Sequence, residues 1–183
     1  PPLFPYTTLF PSTSGMSQID YRITDSILAP PGLQKYYVEE SVYLPGGFIC
    51  YTPPEFAPPV APLPAERSGH VTFGSFNGSV KINSHILSLW ALVLKATPDS
   101  HLLMKFPGGA DKGMRDMFVG RFKELDISPD RIEVHRWKPS VEHLELYGQV
   151  DIVLDTYPFN GCITTWEGLW MGVPLVSLAG TDN

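Results

Sequence analysis

The chain has 183 residues, of which 13 are basic and 19 are acidic, so its formal net charge is −6 at pH 7. This length allows one full domain and part of another, and an acidic chain without a Lys/Arg cluster is not expected to bind nucleic acid or an anionic membrane. No apolar run approaches the roughly 18 residues that cross a bilayer. Cys50 and Cys162 form no CxxC pattern, which argues against a disulfide framework or a zinc site and favours a reducing, cytoplasmic setting.

Residues 1–12 differ from the rest of the chain. Prolines bracket a short run of apolar residues and threonine that has no helix or strand period, and the segment LFPYTTLF resembles a translated sequencing adaptor. We therefore predict a non-native or disordered leader over residues 1–15 and leave residues 1–12 out of fold reasoning. The alternative is a native proline-rich leader.

From Ile19 onward the sequence is typical of a folded protein. IDYRIT predicts a short strand, GLQKYYVEESVYL (residues 32–44) predicts a helix, and GGFICY (residues 46–51) predicts a second strand. The apolar side of that helix would consist of Leu33, Tyr36, Tyr37 and Val42.

Six prolines then lie between Thr52 and Gly69. Such a density favours an extended, semi-rigid linker without regular structure. We therefore place a domain boundary at residues 52–69, with the end of one domain before it (residues 16–51) and a second domain after it (residues 70–183).

Strand and helix patterns alternate from His70 onward. The predicted strands lie at residues 70–76, 101–106, 131–135, 150–154 and 175–178, and the predicted helices lie at residues 84–96 and 114–125, near Ser140 and near Thr164. This alternation is typical of an α/β domain in which a parallel sheet carries helices on both faces. We therefore predict a Rossmann-like sheet whose ligand lies outside the carboxyl ends of the strands.

The segment Gln149–Ser177 predicts strand, glycine turn, helix and strand. Its helix start near Thr164 could bind phosphate through free N–H groups, the helix dipole and the threonine hydroxyl. The competing interpretation, which the residues alone favour, is a capping box in which Glu167 bonds back to the N–H of the cap. Asp155 is expected to anchor the turn that follows the strand.

Two other residues are candidates for a site. Lys81 follows the strand at residues 70–76, where an ammonium could neutralise a diphosphate without a metal; an ordinary surface lysine is an equally weighted alternative. His143 in KPSVEHLELY could offer its ring to a base, although a histidine in the first turn of a surface helix is the preferred interpretation when the residue is taken alone.

An ordered series of motifs runs through the chain: DYRITD, LPGGFICY, FNGSVKI, RIEVHRWKPSVEHLELYGQVDIVLDTYPFNG and TTWEGLWMGVPLVSLAG. Over residues 16–183 these motifs resemble the C-terminal part of the catalytic region of the O-GlcNAc transferase and SPINDLY family, in its bacterial form. The resemblance implies a fragment of a GT-B glycosyltransferase. It also implies inverting transfer of a sugar from a nucleotide-sugar donor to protein Ser or Thr hydroxyls, with no metal and no other cofactor.

The resemblance gives roles to particular residues. Lys81 would be catalytic, because it matches the lysine that contacts the donor diphosphate and supports departure of the nucleotide. Glu167 stands where the family has an acidic residue on the ribose, and His143 matches a histidine beside the nucleobase. Asn77 opens the FNxxxK motif and is counted with the donor-binding residues.

At the predicted helix start, Thr164 matches a threonine that binds phosphate, and Ile163 could do so only through its backbone N–H. The chain departs from animal members at Gly78, Cys162 and Ser140, where they have glutamine, histidine and lysine. Fewer side chains then hold the donor, which leaves the identity of the donor open. UDP-GlcNAc ranks first, and UDP-glucose and GDP-fucose are the alternatives.

The resemblance further implies that the N-terminal catalytic half and the tetratricopeptide repeats that precede it are absent from this sequence. We expect the fragment alone to bind nucleotide weakly and to be inactive, because the acceptor pocket is lost. Two alternatives stay open: a GT-B enzyme that acts on non-protein acceptors, and a non-catalytic module that binds a nucleotide sugar.

Overall fold

A computed structural model describes residues 13–47 and 49–179 of the chain. They form two compact units, one of residues 13–52 without Phe48 and one of residues 53–179. The prediction for residues 1–12 falls outside the described residues. Within the described ranges, no helix combines the length and apolar character needed to cross a membrane.

The smaller unit contains two parallel strands, β1 (Tyr21–Thr24) and β2 (Glu40–Tyr43). β1 confirms the strand predicted from IDYRIT. The helix predicted over residues 32–44 is wrong, because a 3₁₀ turn over Pro31–Tyr36 ends there and the chain becomes extended at Tyr37. The strand predicted at residues 46–51 does not form in its described part, which excludes Phe48.

Two side chains explain why the helix does not continue. The Gln34 amide donates to the Glu39 carbonyl at 2.7 Å and accepts from the Ser41 N–H at 3.2 Å, so it bonds to the strand backbone. Glu39 accepts hydrogen bonds from the Thr13 hydroxyl and the Ser14 N–H. These contacts between distant residues outweigh the local helical pattern.

The predicted linker contains one regular element, contrary to expectation. Helix α1 (Pro64–Ser68) starts at a proline and closes at Gly69, which adopts a φ of +77°. Proline is tolerated at the first position of a helix because its missing N–H would have no partner there. The Asp151 carboxylate accepts from the Ala65 N–H at 2.9 Å, which satisfies another free donor of this helix start.

The larger unit is a five-stranded sheet in the order β5-β4-β3-β6-β7, with every neighbouring pair parallel. Its strands are β3 (Thr72–Ser75), β4 (His101–Lys105), β5 (Ile132–His135), β6 (Ile152–Leu154) and β7 (Leu175–Val176). Its helices after α1 are α2 (Ser84–Ala96), α3 (Lys112–Glu124), α4 (Ser140–Leu146) and α5 (Ile163–Trp170). The predicted Rossmann-like sheet is therefore confirmed, with β7 shorter than the strand expected at residues 175–178.

Helices cover both faces of the sheet. Alternate residues of β4 show this, because Leu102 and Met104 pack into a cluster with α2 and α3, whereas Leu103 packs into a second cluster with α4 and the end of α5. The strand order reverses between β3 and β6, so the loops that follow these two strands lie next to each other. In open α/β sheets this switch point is where ligands bind.

Candidate functional site

Lys81 extends from a 3₁₀ turn after β3 towards the loop that follows β6. Its Nζ donates to the Asn160 carbonyl at 2.8 Å and lies 4.1 Å from the centre of the Phe159 ring. Burial lowers the pKa of Lys81, while the electrostatic influence of Asp155 and, after it, Cys162 acts in the opposite direction. The Lys81 ammonium is thus held at the switch point, which is where the sequence analysis placed this lysine.

Asn77 joins the loop after β3 to the first turn of α5. The side chain is 4% exposed, and its Oδ1 accepts from the Thr164 hydroxyl at 3.1 Å. The Thr164 carbonyl in turn accepts from the Tyr147 hydroxyl at 2.9 Å. Two of the predicted site residues therefore contact each other although 87 positions separate them.

The first turn of α5 has donors without partners. Cys162 is the N-cap and makes no side-chain capping bond, and within the described part of the chain the N–H groups of Ile163 and Thr164 have no acceptor. The buried hydroxyl of Thr165 also lacks a partner there. The helix start thus presents unsatisfied N–H groups and the positive end of its dipole, which suits an anion.

The capping box favoured by the residues alone is wrong. Glu167 does not reach back to the cap; its Oε2 lies 2.8 Å from Nε2 of His143. His143, in α4, is 9% exposed, and its ring packs edge-on against Phe76 with centroids 5.8 Å apart. The predicted surface histidine is therefore a buried residue bonded to another predicted site residue.

Lys105 completes this group and was missed by the sequence analysis. It ends β4, is 6% exposed, and its Nζ lies 2.9 Å from Nδ1 of His143. Burial lowers its pKa to about 8, although the nearby Glu167 carboxylate opposes that shift. The signal in the sequence was a lysine at the end of an apolar strand, at the sheet edge where ligands bind.

Asp155 anchors the loop between β6 and α5, as predicted. Its two carboxylate oxygens accept from the N–H groups of Thr156 and Gly161 and from the side chains of Asn160 and Ser177, at 2.7–3.0 Å. A Cβ atom on Gly161 would lie 2.6 Å from the Thr165 hydroxyl oxygen, so glycine permits this tight approach. Asp155 has a structural role because its oxygens are already used.

The site contains two clusters linked by α5. Lys81 lies with the loop after β6, and Lys105, His143 and Glu167 form a second group. Among the described residues, no set of three or more His, Cys, Asp or Glu side chains could hold a metal ion. This arrangement can bind a diphosphate at the helix start and a polar ring or hydroxyl beside His143 and Glu167.

These features are those of a parallel α/β domain of a GT-B glycosyltransferase. The model of glycosyl transferase family 41 matches residues 63–182, and the chain belongs to this family. It is similar to proteins named "probable UDP-N-acetylglucosamine--peptide N-acetylglucosaminyltransferase SPINDLY" from Petunia hybrida and Arabidopsis thaliana, at 44% and 42% identity over 94% of the chain. The chain spans only 19% of the length of either relative.

A solved structure shares the fold. It is a lysine-to-methionine mutant of the O-GlcNAc transferase of Thermobaculum terrenum, with a TM-score of 0.86 and 34% sequence identity. The match covers 94% of this chain and 32% of that one. The expected membership of the O-GlcNAc transferase and SPINDLY family and the expected GT-B fold are both confirmed.

Proposed function

We propose that the protein containing this chain transfers N-acetylglucosamine from UDP-GlcNAc to Ser or Thr hydroxyls of proteins, with inversion and without a metal. The names of the relatives, which state a UDP-N-acetylglucosamine donor and a peptide acceptor, support this proposal. The part contributed by this chain is the donor site. The cytoplasmic setting, the acceptor protein and the tetratricopeptide repeats stay predictions.

The observation that carries the proposal is the pairing of a fixed ammonium with a free helix start at the switch point. Lys81 Nζ is held at Asn160, three positions before the first residue of α5. Ile163 and Thr164 are the first two residues of α5, and their N–H groups have no acceptor among the described residues. A diphosphate bound there would contact both.

This arrangement stabilises a leaving group. When the acceptor hydroxyl attacks the anomeric carbon, its proton passes to a general base, the bond from that carbon to the diphosphate oxygen breaks, and the nucleotide departs with additional negative charge. Lys81 and the helix dipole neutralise that charge as it develops, which lowers the barrier more than it strengthens binding of the intact donor. Lys81 is therefore proposed as the catalytic residue of this chain.

The remaining predicted residues fit the nucleoside. Glu167 has one oxygen bonded to His143, and its other oxygen, Oε1, makes no hydrogen bond with a described residue, so it can accept from a ribose hydroxyl. His143 offers a ring beside the base. Thr164 and Asn77 hold the helix start against the loop after β3.

Calorimetric titration of the chain with UDP, GDP and UDP-GlcNAc tests the donor site. We expect UDP to bind and Lys81→Met to weaken it by about tenfold or more, since loss of one charged contact costs at least about 1.4 kcal/mol. The matched control is Lys95→Met, which removes an exposed lysine paired with Asp126. Preference for GDP would redirect the donor to a guanosine sugar, and a folded chain that binds none of the three would overturn the proposed site.

A further inference from the structure

We propose that Lys105 is a positioning residue that keeps the His143 ring neutral, with its proton on Nε2, for contact with the nucleobase of the donor. The proposal rests on the proposed donor site for its purpose. Its structural part concerns only Lys105, His143 and Glu167, and can be tested without any ligand.

The three residues form one chain of hydrogen bonds. A lysine ammonium donates and cannot accept. Because Lys105 Nζ lies 2.9 Å from Nδ1 of His143, Nδ1 must be the accepting nitrogen. The ring proton then belongs to Nε2, which lies 2.8 Å from Oε2 of Glu167 and donates to it.

Charge explains why a lysine is needed at this position. A carboxylate 2.8 Å from an imidazole favours the doubly protonated ring. An ammonium on the other side disfavours a second cation and occupies the nitrogen that would take the extra proton. Among the described residues, these two are the charged groups hydrogen-bonded to the ring. The rings of Phe76 and Tyr147 also contact it, with centroids 5.8 and 5.4 Å away.

Burial makes the arrangement persistent. Lys105 and His143 are 6% and 9% exposed, so water competes weakly for their hydrogen bonds. The lowered pKa of Lys105, about 8, leaves its ammonium mostly charged at pH 7. Because both ring nitrogens are bonded to Lys105 and Glu167, the neutral ring has a fixed plane that can stack on a base, and Oε1 of Glu167 is left for the ribose.

Nuclear magnetic resonance of the ¹⁵N-labelled chain at pH 7 tests the ring state directly, with His143→Gln used to assign its signals among the five histidines. We expect a neutral ring protonated at Nε2 in the wild type, a doubly protonated ring in Lys105→Met, and a neutral ring in Lys105→Arg, which retains a cation. The control Lys95→Met should leave the signals unchanged. A wild-type proton on Nδ1, or an unchanged ring in Lys105→Met, would overturn the proposal; the first of these needs no change at Lys105.

Calorimetry separates this role from a general loss of structure. We expect Lys105→Met to weaken UDP binding about tenfold and to change the affinity for inorganic pyrophosphate less than about twofold, because the proposed diphosphate contacts are Lys81 and the start of α5 and do not include His143. Equal weakening of both ligands would indicate a merely structural role and would count against the proposal. If the wild type binds neither ligand, the donor site itself fails, and the ring spectrum still decides whether Lys105 fixes His143.

Discussion

At the N-terminal edge of the five-stranded sheet, where its strands begin, buried and half-buried charges bond mainly to the backbone, whereas at the C-terminal edge, where the strands end, most of them bond to other side chains. Asp151 accepts from the N–H groups of Ala65 and Thr72 at 2.9 and 2.8 Å. Arg131 donates to three carbonyls near the end of α2 and the start of β4, those of Leu94, Thr97 and Ser100. These charges hold elements together and have few bonds left to offer.

The C-terminal edge differs because it retains hydrogen-bonding groups that a ligand could use. Lys105, His143 and Glu167 bond to one another, and the first N–H groups of α5 have no acceptor among the described residues. A side chain bonded to another side chain can exchange partners with a ligand at small cost to the fold. The number of hydrogen bonds that a charged group already makes therefore distinguishes structural charge from site charge better than position does, and Asp155, which accepts from four donors, provides the sharpest case.

Asp155 lies at the C-terminal edge but is saturated, so Asp155→Ala should show the largest loss of stability. Four donors would lose a buried carboxylate, and we expect the free energy of unfolding to fall by about 4 kcal/mol in urea titrations. The control Asp116→Ala, at an exposed pair with Lys112, should change it by less than about 0.5 kcal/mol. A small loss of stability with a large loss of UDP binding would assign Asp155 to the site.

Arg131 tests the N-terminal edge. Arg131→Met retains a long aliphatic side chain but removes the guanidinium, so the carbonyls of Leu94, Thr97 and Ser100 lose their charged donor. We expect a loss of about 2–3 kcal/mol in the free energy of unfolding, measured by the same urea titration, and UDP affinity unchanged. Arg121→Met is the control, because Arg121 pairs only with exposed Glu124 on α3. Equal effects of the two variants would contradict the structural assignment of Arg131.

Local pattern predicted much of the larger unit. Helix α2 forms over the predicted residues because Ile86, Trp90 and Leu94 recur on one face and Asn83 caps its start by accepting from the Ile86 N–H at 3.0 Å. The strands β4, β6 and β7 are short segments rich in apolar residues. Information within about a dozen residues was sufficient in these cases.

Elsewhere the decisive contacts lie between distant residues. The conformation of residues 32–44 depends on Glu39, which bonds to Thr13 and Ser14. The hydrophobic periodicity of residues 32–44 contains no information on these contacts. Lys105 becomes a site residue only because α4 and α5 place His143 and Glu167 beside it. The pattern singled out Lys81, Thr164 and His143, and the resemblance added Asn77, Ile163 and Glu167 and suggested the roles of all six, which stay predictions. Neither could supply the hydrogen-bond partners of the buried His143.

Thr164→Val tests the C-terminal edge of the sheet with a smaller change. The variant removes the hydroxyl that donates to Asn77 at 3.1 Å and that is proposed to contact phosphate. We expect UDP affinity to fall about tenfold and the free energy of unfolding to fall by about 1 kcal/mol. Ser88→Ala, which removes an exposed hydroxyl bonded within α2, should change neither quantity. Loss of stability without loss of affinity would move Thr164 to the structural group.

The smallest expected effect comes from a histidine pair at the N-terminal edge. His101 stacks on His70 with ring centroids 4.1 Å apart, and burial, with the charges of His70 and Arg131, lowers the pKa of His101 below 6.5, against the opposing pull of Asp130 and Glu133. The folded chain therefore binds fewer protons than the unfolded chain just below pH 6.5, so the free energy of unfolding should decrease as the pH falls through this range.

Urea titrations at pH 7.5 and 5.5 measure that decrease, and His101→Gln should reduce it while the exposed His85→Gln leaves it unchanged. Burial and the neighbouring charges of His70 and Arg131 disfavour the protonated His101 ring, which is why protonation there costs stability. If His101→Gln kept the full pH dependence, the decrease in the free energy of unfolding would come from another titrating group. UDP affinity should be unaffected by either variant, because this pair lies at the edge of the sheet opposite to the switch point.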